Sequence, residues 1–221
     1  MKLSVIVPAF NEAPTIAAVL RRVAAVELDK EVIVVDDHST DATLAEIDHA
    51  GVSDVTVICH PVNRGKGAAV RSGLAAASGD VMVVQDGDLE YDPQEFIRLI
   101  EPIMDGSARV VYGYRDLESQ TALYRAGNRT LTFLTNLLFG VAIRDMETCY
   151  KMWKREVLDG IELESDAFDI EVELTARFLR MGERIVQLPI SYQAREAKKL
   201  QWWVDGPQAV VKLIRYRFLG K

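Results

Sequence analysis

The sequence is poor in cysteine and histidine and has no long apolar run, and each shortage removes a class of protein. Its two cysteines, Cys59 and Cys149, lie far apart with no C-x-x-C spacing. That excludes a disulfide framework or a zinc knuckle, and both are expected as reduced packing residues. The three histidines, His38, His49 and His60, lack metal or triad partners at useful spacing and read as surface residues. No stretch approaches the roughly 20 apolar residues needed to span a bilayer. The start, Lys2-Leu3-Ser4-Val5-Ile6-Val7-Pro8, lacks the pattern of a signal peptide. A cytoplasmic location is therefore expected, with any membrane contact peripheral at the cytoplasmic face. The absence of G-x-G-x-x-G, P-loop and G-x-S-x-G patterns excludes dinucleotide, P-loop ATPase and serine-hydrolase readings.

What is present describes one folded domain. The chain has 221 residues, 49% of them hydrophobic and 27% charged, enough for a large core and too apolar for disorder. A net charge of -7 argues against a nucleic-acid footprint. The charge is uneven, because residues 193–221 carry seven basic and two acidic side chains, leaving +5 there and -12 elsewhere.

Short apolar runs alternate with amphipathic segments, the pattern of successive βα units. Strands are expected at residues 3–8, 31–35, 55–59, 80–85 and 108–112, with a late one at 184–192 whose Pro189 suggests an edge or a bulge. The Val- and Ile-rich composition of the first four predicts cover on both faces, as in parallel sheets. Helices are expected at 16–26, 42–50 (capped by Thr40 or Asp41), 96–104 (after the Asp92-Pro93 start), 124–139 and 168–181. Residues 206–219 form an amphipathic basic helix with Lys212, Arg215 and Arg217 between its apolar positions.

Ligands of open α/β sheets bind beyond the carboxyl ends of the strands, and here those ends are polar. Strand one delivers Phe10-Asn11-Glu12, strand two Asp36-Asp37, strand three Asn63-Arg64-Gly65-Lys66-Gly67, and strand four Asp86-Gly87-Asp88. Two carboxylates flanking a glycine can approach one hard divalent cation, Mg2+ or Mn2+, with phosphate oxygens completing its shell. In isolation such a triplet is more often a solvated turn; its place after a buried strand favours the ion. Asp37 suits a base N–H or a ribose hydroxyl, with helix capping as the bland alternative. The loop with Lys66 opens a helix, where backbone N–H groups, glycines and two cations attract phosphate.

These segments resemble the inverting family 2 glycosyltransferases of the GT-A fold, especially the polyprenyl-phosphate (dolichol-phosphate) mannose or glucose synthases. The resemblance rests on Val7-Pro8-Ala9-Phe10-Asn11-Glu12, Val34-Val35-Asp36-Asp37-His38-Ser39-Thr40-Asp41, residues 63–73 and Gln85-Asp86-Gly87-Asp88-Leu89-Glu90-Tyr91-Asp92-Pro93, in the family's order and spacing. It implies an α/β, Rossmann-like sandwich with a mostly parallel sheet flanked by helices. The catalytic domain would span 1–192, and the basic segment 193–221 would pack on it or lie at a membrane surface. It places Pro8, Phe10, Glu12, Val35 and Asp37 around the nucleotide, Asp86 and Gly87 beside its ribose and diphosphate, and Asp86, Asp88 and Glu90 on the cation. Arg115, in Gly113-Tyr114-Arg115, becomes a phosphate contact. Segment 144–151 becomes the acceptor side, and Arg195, Lys198 and Lys199 a cationic cluster near phosphates. Phe10 for tyrosine, Tyr114 for serine and a shortened 196–199 segment depart from the family pattern.

The implied reaction moves a mannosyl or glucosyl group from a nucleotide sugar to a polyprenyl phosphate. Asp88 and Arg115 would serve the leaving group through the metal and directly. Arg129, Lys151, Arg195, Lys198 and Lys199 supply more cations than a neutral acceptor needs, which favours a lipid phosphate over a solvated basic face. An ionised phosphate attacks without a base, whereas a sugar hydroxyl would need one. Asp145 is the candidate base or acceptor-orienting group, or else a structural carboxylate pairing Arg144 or Arg129. A soluble enzyme acting on a sugar hydroxyl and a non-catalytic nucleotide-sugar-binding module are the competing readings.

Overall fold

A computed structural model describes residues 1–195 and 202–218, with side chains of the last segment from residue 206. Among the described residues seven α-helices and seven strands alternate: β1 (Leu3–Ala9), α1 (Ile16–Ala24), β2 (Lys30–Asp36), α2 (Thr43–His49), β3 (Val55–Cys59), α3 (Lys66–Ala76), β4 (Val81–Val84), α4 (Phe96–Met104), β5 (Val110–Arg115), α5 (Ala122–Phe139), β6 (Lys151–Lys154), α6 (Ile170–Arg180), β7 (Ile185–Ile190) and α7 (Trp202–Phe218). The strands form one sheet in the order β3-β2-β1-β4-β6-β5-β7. Strands β3, β2, β1 and β4 run parallel, as do β5 and β7, while β6 is antiparallel to both neighbours. This is the mostly parallel, helix-flanked sheet that the βα alternation predicts.

The four-strand half is held by apolar burial. Every residue of β1 and β4 is buried, and the Val32–Asp36 stretch of β2 joins them. Strand β3 departs from the expected two-sided cover: it is the sheet edge, and Thr56, Val57 and Cys59 are exposed. Cys59 is therefore not a packing residue, unlike Cys149, which is buried with its thiol directed at the Val84 carbonyl, 3.3 Å away. Helix α2 starts at Thr43, where the Asp41 carboxylate accepts the Thr43 N–H at 2.9 Å. Asp92 accepts from Gln94 N–H at 3.1 Å ahead of α4. Pro189 lies on β7, the other sheet edge, where the lack of an amide proton costs least.

Strand β6 was not expected. Its Lys-Met-Trp-Lys sequence is too short to show a period, yet Met152 and Trp153 are buried and separate β5 from β4. Helix α7 begins before the expected residue 206 and runs through Gly206 and Pro207. Its Ala209, Leu213 and Tyr216 are buried, and the helix packs on α5 and α6.

Helix α3 points its N-terminus into the site because two glycines let it press on residues 165–167. A Cβ on Gly67 would meet the Ser165 carbonyl oxygen at 2.3 Å, and one on Gly65 the Asp166 carbonyl oxygen at 2.3 Å. Both obstacles are backbone and cannot rotate away. Gly67→Ala is expected to lower the unfolding free energy by about 1–3 kcal/mol, measured by urea denaturation, whatever alanine adds in helix propensity. An unchanged midpoint would show that this contact is looser than described.

Candidate active site

A cleft of about 890 Å³ opens at the carboxyl ends of the parallel strands, lined by residues from β1, β2, β4 and β5 exits and by α5, α6 and α7. Its centre is the turn that ends β4. Gln85 N–H still bonds to the Ile6 carbonyl at 2.9 Å, and beyond it Asp86-Gly87-Asp88 turns into the cleft. A Cβ on Gly87 would lie 3.2 Å from Glu12 Cγ and 3.5 Å from the Pro8 oxygen, so glycine permits β1 and β4 exits to close on each other. Thr15 Oγ1 fixes the turn by donating to the Gly87 carbonyl at 2.8 Å.

Four carboxylates, Glu12, Asp86, Asp88 and Glu90, line this region, and two cations, Lys66 and Arg195, offset part of their charge. Lys66 Nζ lies 2.7 Å from both Asp86 Oδ1 and Glu171 Oε1. Burial alone would raise the Asp86 carboxyl and lower the Lys66 ammonium. Their mutual charge outweighs it, holding Asp86 below and Lys66 above their ordinary values. Arg195 donates to both Glu12 oxygens at 3.1 and 3.3 Å, and its Nε lies 3.6 Å from Asp88 Oδ2. Asp88 is nonetheless pushed up to about 7 by burial and by the charges of Asp86 and Glu90. Glu90 accepts from the Tyr192 hydroxyl at 2.9 Å and the Arg195 N–H at 2.8 Å.

This donor set fits a hard divalent cation. It is all oxygen, and the crowding that lifts Asp88 toward neutrality is what a divalent charge would reverse. Among the described residues no three His, Cys, Asp or Glu converge as a self-sufficient metal cage.

The other expected nucleotide residues divide. Pro8, Phe10, Glu12, Asp37, Lys66, Asp86 and Gly87 line the cleft, whereas Val35 is a core residue of β2. Asp37 neither caps a helix nor stands open: it accepts from Arg64 N–H at 2.8 Å, Gly65 N–H at 2.7 Å and the His60 ring at 2.7 Å. His60 is thus a buried residue, not a surface one, and also contacts Ser72 Oγ at 2.9 Å. Because two loop N–H groups serve Asp37, Lys66 is the loop's principal offering to a phosphate.

On the far side, Arg115 and Asp145 pair with each other. Asp145 accepts from Arg115 Nε at 2.7 Å, Nη2 at 2.9 Å and backbone N–H at 3.1 Å, and from Asn128 Nδ2 at 3.3 Å. Asp145 is 2% exposed, and although burial would raise its carboxyl, Arg115 holds it below the usual range. The partner of this carboxylate is Arg115, neither Arg144 nor Arg129. Arg144 instead stacks on Tyr114, 4.7 Å from the ring centre. Arg115 lines the cleft and lies 5.0 Å over the Tyr192 ring.

The expected acceptor cations do not gather. Lys151 is a core residue of β6, its ammonium donating to the Met146 and Thr148 carbonyls at 2.8 and 2.6 Å while burial lowers its pKa. Arg129 is exposed on α5 and off the cleft wall. Arg195 is in the cleft but on the Glu12 and Asp88 carboxylates. Lys198 and Lys199 lie outside the described residues.

Residues not singled out in the sequence also line the cleft, chiefly Asn128 on α5, Glu171 on α6 and the 206–210 stretch of α7, and Glu147 lines it from the expected acceptor-side segment 144–151. Glu171 was discoverable in principle, as an acidic residue on the helix face of Leu174, Thr175 and Phe178, all buried.

Asp145→Asn strips the counter-charge from a buried guanidinium and is expected to cost about 3–5 kcal/mol in urea unfolding at pH 7. The folded-state pKa of Asp145 lies below its unfolded value of about 3.9. The pair's contribution is therefore complete above about pH 4 and is lost as pH falls through the folded-state value, so the gap between wild type and variant closes on acidification.

The family model "Glycosyl transferase family 2" matches residues 4–161. The chain is 32% identical to a dolichol-phosphate mannosyltransferase of Pyrococcus furiosus, covering 91% of this chain and 60% of that protein, so it spans well under two thirds of that relative. It is 27% identical to an undecaprenyl-phosphate mannosyltransferase of Micrococcus luteus, covering 98% of this chain and 94% of the relative. It is also 30% identical to a polyprenol monophosphomannose synthase of Mycolicibacterium smegmatis, with 87% and 77% covered. Among solved structures, glucosyl-3-phosphoglycerate synthase of Mycobacterium tuberculosis in complex with Mg2+ and UDP superposes with a TM-score of 0.77 at 24% identity, over 98% of this chain and 79% of that one. The same enzyme with phosphoglyceric acid gives 0.79, over 99% and 79%. At that identity the likeness speaks for the GT-A fold alone. The sequence match extends through the cleft-bearing half of the sheet, and the chain belongs to glycosyl transferase family 2.

Proposed function

We propose that this glycosyltransferase moves a hexosyl group, mannose or glucose, from a nucleoside-diphosphate sugar to a polyprenyl phosphate with inversion, using Mg2+ or Mn2+. The observation that carries the reading is the Asp86-Gly87-Asp88 turn, set in the cleft between the ammonium of Lys66 and the guanidinium of Arg195. Residues 1–192 would form the catalytic domain and the basic 193–221 segment would flank its mouth.

Asp86 and Asp88, with Glu90 behind them, would hold the divalent ion, which when bound supplies positive charge to the departing diphosphate. Lys66 keeps a third N–H beyond the two that serve Asp86 and Glu171, and it can follow a phosphate without leaving the site. Asp145 holds Arg115 by Nε and Nη2 and leaves the rest of the fork for a phosphate in the cleft. Asp145 is thereby a positioning residue. Pro8 and Phe10 offer the nucleotide an apolar wall, and Asp37 shapes the loop beneath it.

The acceptor reading is supported by the relatives' polyprenyl-phosphate names and by the state of Asp145. A lipid phosphate is anionic near neutral pH and attacks without a base, and Asp145, the candidate base for a hydroxyl acceptor, is spent on Arg115. No helix among the described residues is long and apolar enough to cross a membrane. Exposed Val211, Ile214 and Phe218 on α7 and Phe133 and Leu137 on α5 would let the enzyme rest on the bilayer that holds its acceptor. The basic side chains of α7 contribute less than expected to such a surface, because Lys212 and Arg215 pair with Asp169 and Glu164.

Transfer from GDP-mannose and from UDP-glucose to a short polyprenyl phosphate in phosphatidylglycerol vesicles, with Mn2+, tests the reading. One donor is expected to give a β-linked (for mannose) or otherwise inverted product. Asp88→Ala is expected to lower kcat/KM by about 10²–10³-fold. Wild-type turnover in Asp88→Ala at limiting metal, or transfer only to free sugar hydroxyls, contradicts it.

A further inference from the structure

Strand β4 runs out of sheet partners just before the acidic turn. Its last pairs are Ile6↔Val84 with β1 and Val83↔Met152 with β6. From there three carbonyls of the exit are held by side chains: Val84 by the Cys149 thiol at 3.3 Å, Asp86 by Gln85 Nε2 at 2.9 Å and Gly87 by Thr15 Oγ1 at 2.8 Å. A bonded carbonyl fixes the plane of its peptide group. The peptides joining Asp86 to Gly87 and Gly87 to Asp88 therefore decide where the two aspartate side chains point.

The residues that hold those two peptides are placed for that work and not for ordinary packing. Thr15 stands at the N-cap of α1, where a threonine normally accepts a helix N–H, yet it makes no capping bond and its shortest bond is to the Gly87 carbonyl. Gln85 is fully buried, an unfavourable place for an amide unless it is bonded. Its N–H end must face the Asp86 carbonyl, because two carbonyl oxygens repel, so Oε1 faces Tyr150 and accepts its hydroxyl proton at 2.6 Å. The Tyr150 ring is buried and set independently of its hydroxyl by Tyr91 and Phe96, with ring centroids 4.7 and 5.1 Å away. A polarised chain thus runs from the Tyr150 hydroxyl through the Gln85 amide to the Asp86 peptide. Tyr150 reaches β4 from the β6 side, and Thr15 holds the next peptide from the β1 side. Thr15, Gln85 and Tyr150 do not line the cleft, so whatever they do for a ligand they do through the turn.

Resting on the divalent-ion reading of this turn, we propose that Thr15 and Tyr150, the latter through Gln85, are positioning residues that preset the Asp86 and Asp88 carboxylates for the ion without touching it. Carboxylates fixed in advance lose little freedom when the ion arrives, which raises affinity and makes the shell regular.

Titration with Mn2+ followed by electron paramagnetic resonance, in the presence of GDP and of UDP, tests this through affinity and through the linewidth of the bound ion. Tyr150→Phe and Thr15→Val each remove a hydroxyl and keep the shape. Each is expected to weaken Mn2+ about tenfold and to broaden the bound-ion signal, whereas Thr15→Ser, which keeps the hydroxyl, stays within about twofold of wild type. Adding Tyr150→Phe to Gln85→Met is expected to change the Kd no further, since the phenol acts only through the amide. Tyr112→Phe controls for stability alone: its buried hydroxyl bonds Thr175 at 2.8 Å, between β5 and α6, and its loss is expected to leave the Mn2+ Kd unchanged. Wild-type affinity in either Tyr150→Phe or Thr15→Val, an equal loss in Tyr112→Phe, or an equal loss in Thr15→Ser and Thr15→Val overturns the assignment. If Tyr150→Phe does not fold, the two Thr15 variants decide. Wild type that holds Mn2+ with neither nucleotide fells the divalent-ion reading itself, whereas binding by wild type that the variants match fells this inference alone.

Discussion

The structure turns on a charge balance at the tip of β4. Apolar burial forces the strand to end where it does, and the chain then releases Asp86 and Asp88 beside Glu12 and Glu90 with little solvent to separate them. Such crowding is tolerable only with cations at hand, and the fold supplies Lys66 from the start of α3 and Arg195 from beyond β7. The remaining strain is visible at Asp88, whose carboxyl rises to about 7. A binding site for a divalent ion and a diphosphate is an economical way to resolve that balance, because each partner neutralises what the other leaves.

The rest of the sheet can be understood as bringing a second set of charges to face the first. Parallel β1, β2 and β4 aim their exits at one edge. Antiparallel β6 then spaces β5 away from β4, so that Arg115 leaves its strand across the cleft from the acidic turn. Asp145 fixes that guanidinium with two side-chain bonds and is itself locked by Asn128. Helices α5, α6 and α7 close the wall, with the Glu171 carboxylate carried in on α6. The acidic turn and the Arg115–Asp145 pair thus come from different halves of one sheet.

Much of this was legible in the chain. The Val- and Ile-rich runs of β1, β2 and β4 gave their positions to within a residue or two, and the polar residues after them pointed to the cleft. What escaped detection depended on contacts distant in sequence. Strand β6 is four residues long and exists because β4 and β5 flank it. His60 looked like a surface residue until Asp37 and Ser72 enclosed it. Lys151 looked like an acceptor cation, but its neighbours' carbonyls hold it in the core. The pairing of Arg115 with Asp145 joins residues thirty apart that the sequence offered as separate catalytic groups. Charge type is local information, whereas the partner of a charge is not.

The most direct test of the acidic turn is a crystal soaked with Mn2+ and the nucleoside diphosphate that binds, with the ion located by its anomalous scattering. Manganese within coordination distance of Asp86 or Asp88 and of the diphosphate oxygens, about 2.0–2.3 Å, is the expected result. Manganese held elsewhere, with both carboxylates still bonded to Lys66 and Arg195, would contradict the account.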